Sequence, residues 1–232
     1  MRRLEIIPVE GLPEVRPGDR LAPMIAASAD LADGDVVVVT QKVVSKAEGR
    51  MVTVGPDDPG AYAALVEAES VRVLRRRGDL VISETASGFV CANAGVDRSN
   101  VPDGFVTLLP VDADRSARRI RDGLRAAPGV EVGVIVSDTF GRTWRNGVTD
   151  VAIGCAGIAA VVDLRGTTDS LGRPLEVTEV AVADELASAA ELVMGKAGGV
   201  AAAIIRGVEP SWFRDSSVRA EIVRPPAEDL FR

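Results

Sequence analysis

Apolar residues along this chain fall into short continuous runs and longer stretches with helical spacing. DVVVVT, at 35–40, is nearly all valine, as expected of a strand buried on both faces. VEVGVIVSD, ending at Asp138, gives the strongest strand signal, and GVAAAIIRGV, at 199–208, predicts another buried strand. LVISETASGFVCANAG reads as two strands around a turn at Ala86-Ser87-Gly88. Helical spacing follows Pro17-Gly18-Asp19 through Leu31, and the loop PDDPG at 56–60 leads through Pro59 into a long helix ending near Gly78. A third helix has Asp112 or Asp114 as its cap, Ile120 and Leu124 as its apolar stripe and Gly129 just beyond its end. TEVAVADELASAAELVMGKAGG predicts a helix closed by glycines, with Val182, Leu186 and Val193 facing inward. VAIGCAGIAAVVDLRG fits either a strand or a packed small-residue segment.

These elements follow one another without a clean βαβ rhythm. Neither GxGxxG nor GxxxxGK[ST] stands where a nucleotide fold would place it, so a Rossmann or P-loop protein is disfavoured. Periodicity supports a mixed α/β or α+β fold. The stretch from Glu209 to Arg232 is more polar and carries prolines, as a peripheral arm or linker would.

Composition narrows the chemistry. A chain of 232 residues with 47% hydrophobic and 26% charged residues fits an ordinary soluble protein with a sizeable core. Aromatic residues are only 3% and the net charge is -7, which argues against a nucleic-acid binder. MRRLEIIPVEGLP is unlike a signal segment, and no apolar run approaches the roughly 20 residues of a membrane span, so the expected location is cytoplasmic. Cys91 and Cys155 lie among small apolar residues, as reduced core cysteines do.

The chain has no histidine. That removes the commonest general base and the usual nitrogen ligand of zinc. Any metal should be held by oxygen, which points to Mg²⁺ or Mn²⁺ ahead of Ca²⁺.

Several polar segments border apolar strands. NAGVDRSN offers Asp97 as a hard ligand, Asn100 as donor and acceptor, and Gly95 for close backbone approach; a surface turn would read the same way. In VSDTFGRTWRNG, Asp138 ends a strand, Thr139 adds a hydroxyl, and Arg142 and Arg145 suit phosphate oxygens, against the plainer reading of a capped turn. TQKVVSKAEGR projects Lys42, Lys46 and Arg50 from the end of DVVVVT, as a phosphate-binding or simply solvated basic loop. MGKAGG, at 194–199, can wrap a phosphate with backbone N–H groups or merely end a helix. Together these favour a metal-assisted phosphate reaction.

EGLPEVRPGD, VVSKAEGR, NAGVDRSNV, SDTFGR, GVTDVAIGCAGI, SLGRPLEVTEVAVADE and LVMGKAGG occur in this order. The chain thereby resembles the coenzyme F420-0:gamma-glutamyl ligase family over roughly residues 5 to 208. The resemblance implies an α+β fold in residues 1–208, intertwined homodimers and a nucleotide groove near the interface. It implies GTP as co-substrate, Mg²⁺ or Mn²⁺, K⁺ as a further ion, and stepwise addition of L-glutamate to coenzyme F420-0. Asp97 and Asp138 match metal-binding acids, and Thr139 matches a ligand to a second ion. Gly11, Leu12, Pro13, Glu14, Gln41, Lys46 and Asn100 match nucleotide contacts, Gln41 with a side chain that differs from the small hydroxyl of some relatives. Met194, Gly195, Lys196, Ala197 and Gly198 correspond to a nucleotide-binding loop. Lys196 stands where archaeal relatives carry a glutamate that helps bind the second metal, so either its charge replaces an ion or another acid is recruited. RPPAEDLFR resembles the junction at which a flavin-binding reductase-like domain follows in bifunctional versions; an isolated ligase domain and a stand-alone enzyme both fit. A nucleotide-binding domain dependent on a missing partner domain and a metal-dependent phosphohydrolase are the alternative functions.

Overall fold

A computed structural model describes residues 3–55 and 59–230. In chain order the elements are β1 (Glu5–Pro8), α1 (Leu21–Ser28), β2 (Val36–Thr40), α2 (Gln41–Ala47), β3 (Met51–Thr53) and α3 (Pro59–Ala68). Then come β4 (Ser70–Arg77), β5 (Leu80–Thr85), β6 (Val90–Ala92), β7 (Phe105–Thr107), α4 (Ala113–Ala126), β8 (Gly133–Arg142) and β9 (Arg145–Ala156). β10 (Val162–Asp163), β11 (Glu179–Val180), α5 (Val182–Met194), β12 (Ala202–Arg206) and α6 (Val218–Glu221) complete the fold.

The class is α+β. The main sheet has the order β1-β12-β2-β8-β9, and only β2 and β8 run parallel. Its central strands are apolar on both faces because helices cover both. Val37, Val39, Val134 and Val136 pack with Leu21, Ile25, Ile120 and Leu124 of α1 and α4. Val36, Val38 and Ile135 pack on the other face with Leu186, Ala190 and Met194 of α5. A smaller lobe buries Val54, Val66, Val81, Val96, Val106 and Leu108 between α3 and the short sheets β3-β7 and β4-β5-β6.

Several sequence expectations hold. The turn at 86–88 separates β5 from β6. Asp112 caps α4 by accepting from the Arg115 N–H, while Asp114 lies buried in its first turn. Val182 and Leu186 are buried, and Val193 packs partly against the same core. Both cysteines are free and buried, and burial pushes their thiols up to about 12, which keeps them protonated and inert.

Other expectations need correction. The helix entered at Pro59 ends at Ala68, and SVRVLRRR is the strand β4, paired antiparallel with β5. Its β-branched residues and the turn at Gly78-Asp79 outweigh the helical propensity of its arginines. Residues 56–58 of the expected PDDPG loop lie outside the described residues. Helix α1 stops at Ser28, short of Leu31. Asp138 does not end its strand: β8 continues to Arg142 and turns into β9, which also settles the first half of VAIGCAGIAAVVDLRG as strand. QKVVSKA is a helix, not a basic loop. Residues after Glu209 fold back onto the body: Val218 is fully buried, and Trp212, Phe213 and Ile222 pack on the α5 side of the sheet.

Candidate active site

Where β2 stops at Thr40, its parallel neighbour β8 is at Ser137 and runs on past it. A cavity of about 670 Å³ opens over this carboxyl end of β2, lined by α2, the Asp97–Asn100 loop, β8, β9 and the segment after α5. Ligands in open sheets commonly sit at such strand ends, because the diverging chain leaves a crevice framed by rigid backbone.

The loop carrying Asp97 is fixed from below. Asp97 exchanges backbone hydrogen bonds with Thr107 at the end of β7, N–H to O at 2.9 Å and O to N–H at 2.8 Å. Gly95 has φ +72°, and a Cβ there would meet the Leu109 side chain at 2.5 Å, so only glycine fits. The close approach at Gly95 is made to the Leu109 side chain of the core.

The charged groups form two clusters separated by β8. Successive strand residues point to opposite faces, so Asp138 lies on one side and Ser137 and Thr139 on the other. On the Asp138 side, Lys42 Nζ lies 2.6 Å from Asp97 Oδ2. Burial alone would push the Asp97 carboxyl up, but donors from Lys42 and Ser99 bring it below its ordinary range. Asp138 is pushed up to about 7, mainly by burial and further by the charges of Asp97 and Asp150, against the Thr139 N–H and Lys42. On the other side, the buried Asp150 carboxylate accepts from Ser137 Oγ at 3.0 Å, Thr139 Oγ1 at 2.7 Å and Lys196 Nζ at 2.6 Å. Lys196 Nζ also donates to Thr139 Oγ1 at 2.7 Å and pairs with Glu191 at 3.2 Å. Burial works against its charge, yet Asp150 and Glu191 hold its pKa above the ordinary lysine value.

Of the residues singled out by sequence, Glu14, Gln41, Lys46, Asp97, Asn100, Asp138, Thr139, Met194, Gly195 and Lys196 share the cavity wall. Lys46 pairs with Glu14 at 2.7 Å. Gln41 is 1% exposed; its Oε1 accepts from Ser45 Oγ, while its buried Nε2 has no hydrogen-bond partner among the described residues. An unpaired donor at a cavity wall is costly unless a ligand supplies an acceptor. Gly11, Leu12, Pro13, Ala197 and Gly198 neighbour lining residues without lining the cavity themselves. Arg142 and Arg145 lie at the exposed tip of the β8–β9 hairpin, where Arg142 donates to the Asn146 carbonyl, and they do not line it either.

Asp150 is the central residue that sequence reasoning leaves unassigned. Its neighbourhood follows from the hairpin register, in which Asp150 lies opposite Thr139, and no local motif announces it.

Among the described residues no three His, Cys, Asp or Glu side chains are grouped closely enough to hold a metal by themselves. Asp97 and Asp138 both line the cavity, and two carboxylates are an oxygen donor set that fits a Mg²⁺-like ion whose shell is completed by water and substrate phosphate. Asp97 and Asp138 would hold it, and it would supply charge neutralisation to phosphate oxygens.

Carboxylates and lysines thus share the wall of one cavity at a strand end, a setting that suits charged, oxygen-rich ligands. The sequence profile of the F420-0:gamma-glutamyl ligase family matches residues 11–207, so the chain belongs to that family and is a ligase by membership. It is 47% identical to the coenzyme F420:L-glutamate ligase of Methanopyrus kandleri, over 99% of this chain and 97% of the relative. Identity to the ligase of the same name from Methanothermobacter thermautotrophicus is 45%, over 99% of both chains. The Haloarcula marismortui protein of that name is 41% identical, over 99% of this chain and 96% of its own. No helix among the described residues is long and apolar enough to cross a membrane.

Proposed function

We propose that this chain joins L-glutamate to coenzyme F420-0, and then further glutamates through gamma linkages, at the expense of GTP. The observation that carries the reading is the cavity whose wall carries Lys42, Lys46 and Lys196 together with Asp97, Asp138 and Asp150. Glu14, Gln41, Lys46, Asn100 and the segment from Met194 would hold the nucleotide. Lysine ammonium groups neutralise the phosphates and draw charge off the terminal one as it leaves.

The chemistry balances in two steps. An acceptor carboxylate oxygen bonds to the γ-phosphorus as the bridge to GDP breaks, giving an acyl phosphate and GDP. The glutamate amine then forms the amide as inorganic phosphate leaves with the carbonyl's C–O bond, and the amine gives up a proton. Two accessible steps thus replace one uphill condensation. With no histidine in the chain, a carboxylate, water or the departing phosphate takes that proton. A divalent ion at Asp97 and Asp138, with K⁺ as an additional ion, belongs to the same reading, as does a cytoplasmic setting.

A homodimer is part of this proposal. Trp144 and Val148 on the β8–β9 hairpin, and Leu171 and Val177 on the segment between β10 and β11, expose large apolar surfaces suited to a second copy. In that arrangement the hairpin carrying Arg142 and Arg145 lies against the second copy, where the arginines can act on phosphate.

Incubation with coenzyme F420-0, L-glutamate, GTP and Mn²⁺, followed by mass spectrometry, tests the reading. The expected products are glutamyl adducts and an equivalent amount of GDP. GTP consumption independent of both acceptors would replace the ligase reading with a phosphohydrolase. Calorimetric GTP binding without any adduct would leave a nucleotide-binding domain.

A further inference from the structure

The contacts of Lys196 differ from those of a surface ion pair. Its ammonium meets Asp150 Oδ1 at 2.6 Å, Thr139 Oγ1 at 2.7 Å and Glu191 Oε1 at 3.2 Å, three oxygens for its three N–H donors. The Asp150 side chain is only 3% exposed, so its charge needs a partner close by. Ser137 and Thr139 hydroxyls donate to both carboxylate oxygens but bring no net positive charge. Lys196 supplies that charge. It comes from the segment after α5, where a cation is also favoured by the helix's carboxyl end.

The arrangement resembles a cation cradle whose ion is covalently attached. Hydroxyl and carboxylate oxygens converge on one point, and that point is occupied by nitrogen. The Asp97–Asp138 cluster across β8 has a different character. Lys42 bonds Asp97 there, while Asp138 has no side-chain donor of its own among the described residues.

We propose that the Lys196 ammonium is a tethered cation that fills the position between Asp150, Thr139 and Glu191, so that the cavity takes one divalent ion, at Asp97 and Asp138, and not two. The proposal rests on the cation reading of Asp97 and Asp138 given above. Lys196 then positions Thr139 and Asp150 and fixes the charge of that half of the cavity without depending on a dissociable ion.

Mn²⁺ titrations of the purified chain, followed by electron paramagnetic resonance of free Mn²⁺, read the stoichiometry without any turnover. Wild type should bind one Mn²⁺ per chain. Lys196→Met, with circular dichroism confirming the fold, should bind one more. Adding Asp150→Asn to Lys196→Met should abolish the extra site. A wild type that binds two ions, or a folded Lys196→Met that titrates like wild type, overturns the proposal. A wild type that binds none overturns it as well, because the single ion assigned to Asp97 and Asp138 is then missing. Failure of ligation in the mass-spectrometric assay would leave these stoichiometries unchanged, so the two readings fail separately.

Discussion

Lys42 Nζ lies 2.6 Å from Asp97 Oδ2, although Lys42 belongs to the helix that follows β2 and Asp97 to the loop bordering the smaller lobe. The pair joins the two parts of the fold at the cavity wall. It also keeps a partly buried acid ionised, since Lys42 and Ser99 outweigh the effect of burial. Charge compensation by a lysine is what such a carboxylate needs until a substrate or ion takes over.

Asp97→Ala should therefore remove function more than stability. Lys42 keeps 22% of its side chain exposed and can hydrate when its partner is lost. We expect ligation to fall on the order of a hundredfold or more, and the melting temperature to move by no more than a few degrees. Asp138→Ala should behave alike, with relief of a carboxyl whose pKa stands at about 7 offsetting lost contacts. Adduct formation by mass spectrometry and thermal melts of both variants check this. Near-normal activity in either variant would remove that residue from the site.

The central strands are legible in the sequence because burial on both faces leaves a direct mark, an unbroken valine run such as Val36–Val39. Asp97, Asp138 and Thr139 are legible because their blocks belong to a recognisable family order. The β4 strand reads wrongly as helix since SVRVLRRR has an exposed, arginine-rich outer face, which hides the period of two behind good helix formers. Asp150 carries no signal, because its importance lies in pairing opposite Thr139, a relation fixed by the hairpin register. The docking of the tail carries no local signal for a related reason. Ser217 and the N–H groups of Val218 and Arg219 find a buried acceptor more than a hundred positions away.

That acceptor is Asp114, which also takes the Cys155 N–H at 2.8 Å. Asp114→Ala would leave the N–H groups of Val218 and Cys155 unpaired in the interior. The expected cost is about 3 kcal/mol, with the tail opening before the rest of the chain. Limited proteolysis should cut the variant after Val208 under conditions where wild type resists. Equal resistance would show that the clasp is not what docks the tail.

Gly154 marks the closest approach of α4 to the sheet. A Cβ there would fall 2.2 Å from the Ala113 carbonyl carbon and 2.5 Å from the Asp114 nitrogen, backbone atoms that cannot move aside alone. Gly154→Ala should push α4 outward and cost about 2–3 kcal/mol by urea denaturation. Gly141, in the same hairpin, has nothing within 4 Å of where a methyl would stand and no positive φ. Gly141→Ala should stay within about 0.5 kcal/mol of wild type. Similar costs for the two would locate the effect in glycine content rather than in the helix contact.

Glu221 makes the tail's docking pH-dependent. Arg214 donates to both of its oxygens, at 2.7 and 2.8 Å, and Ser216 Oγ and the Val161 N–H add further bonds. Hydrogen bonds from Arg214, against a smaller opposing effect of burial, hold the Glu221 carboxyl below its ordinary 4.5. Its folded pKa is depressed, so the unfolded chain binds the proton more readily, and stability falls as the pH is lowered through that window. The contribution is fully present above the unfolded value of 4.5 and is lost as pH drops through the lower folded value. Glu221→Gln should accordingly lose about 1 kcal/mol at neutral pH, the scale of a partly exposed bidentate pair. The gap to wild type should close as acid protonates Glu221 in both states. Paired melts taken from neutral pH down into the acid range give the readout, and a gap of constant size throughout would assign the effect to packing instead of charge.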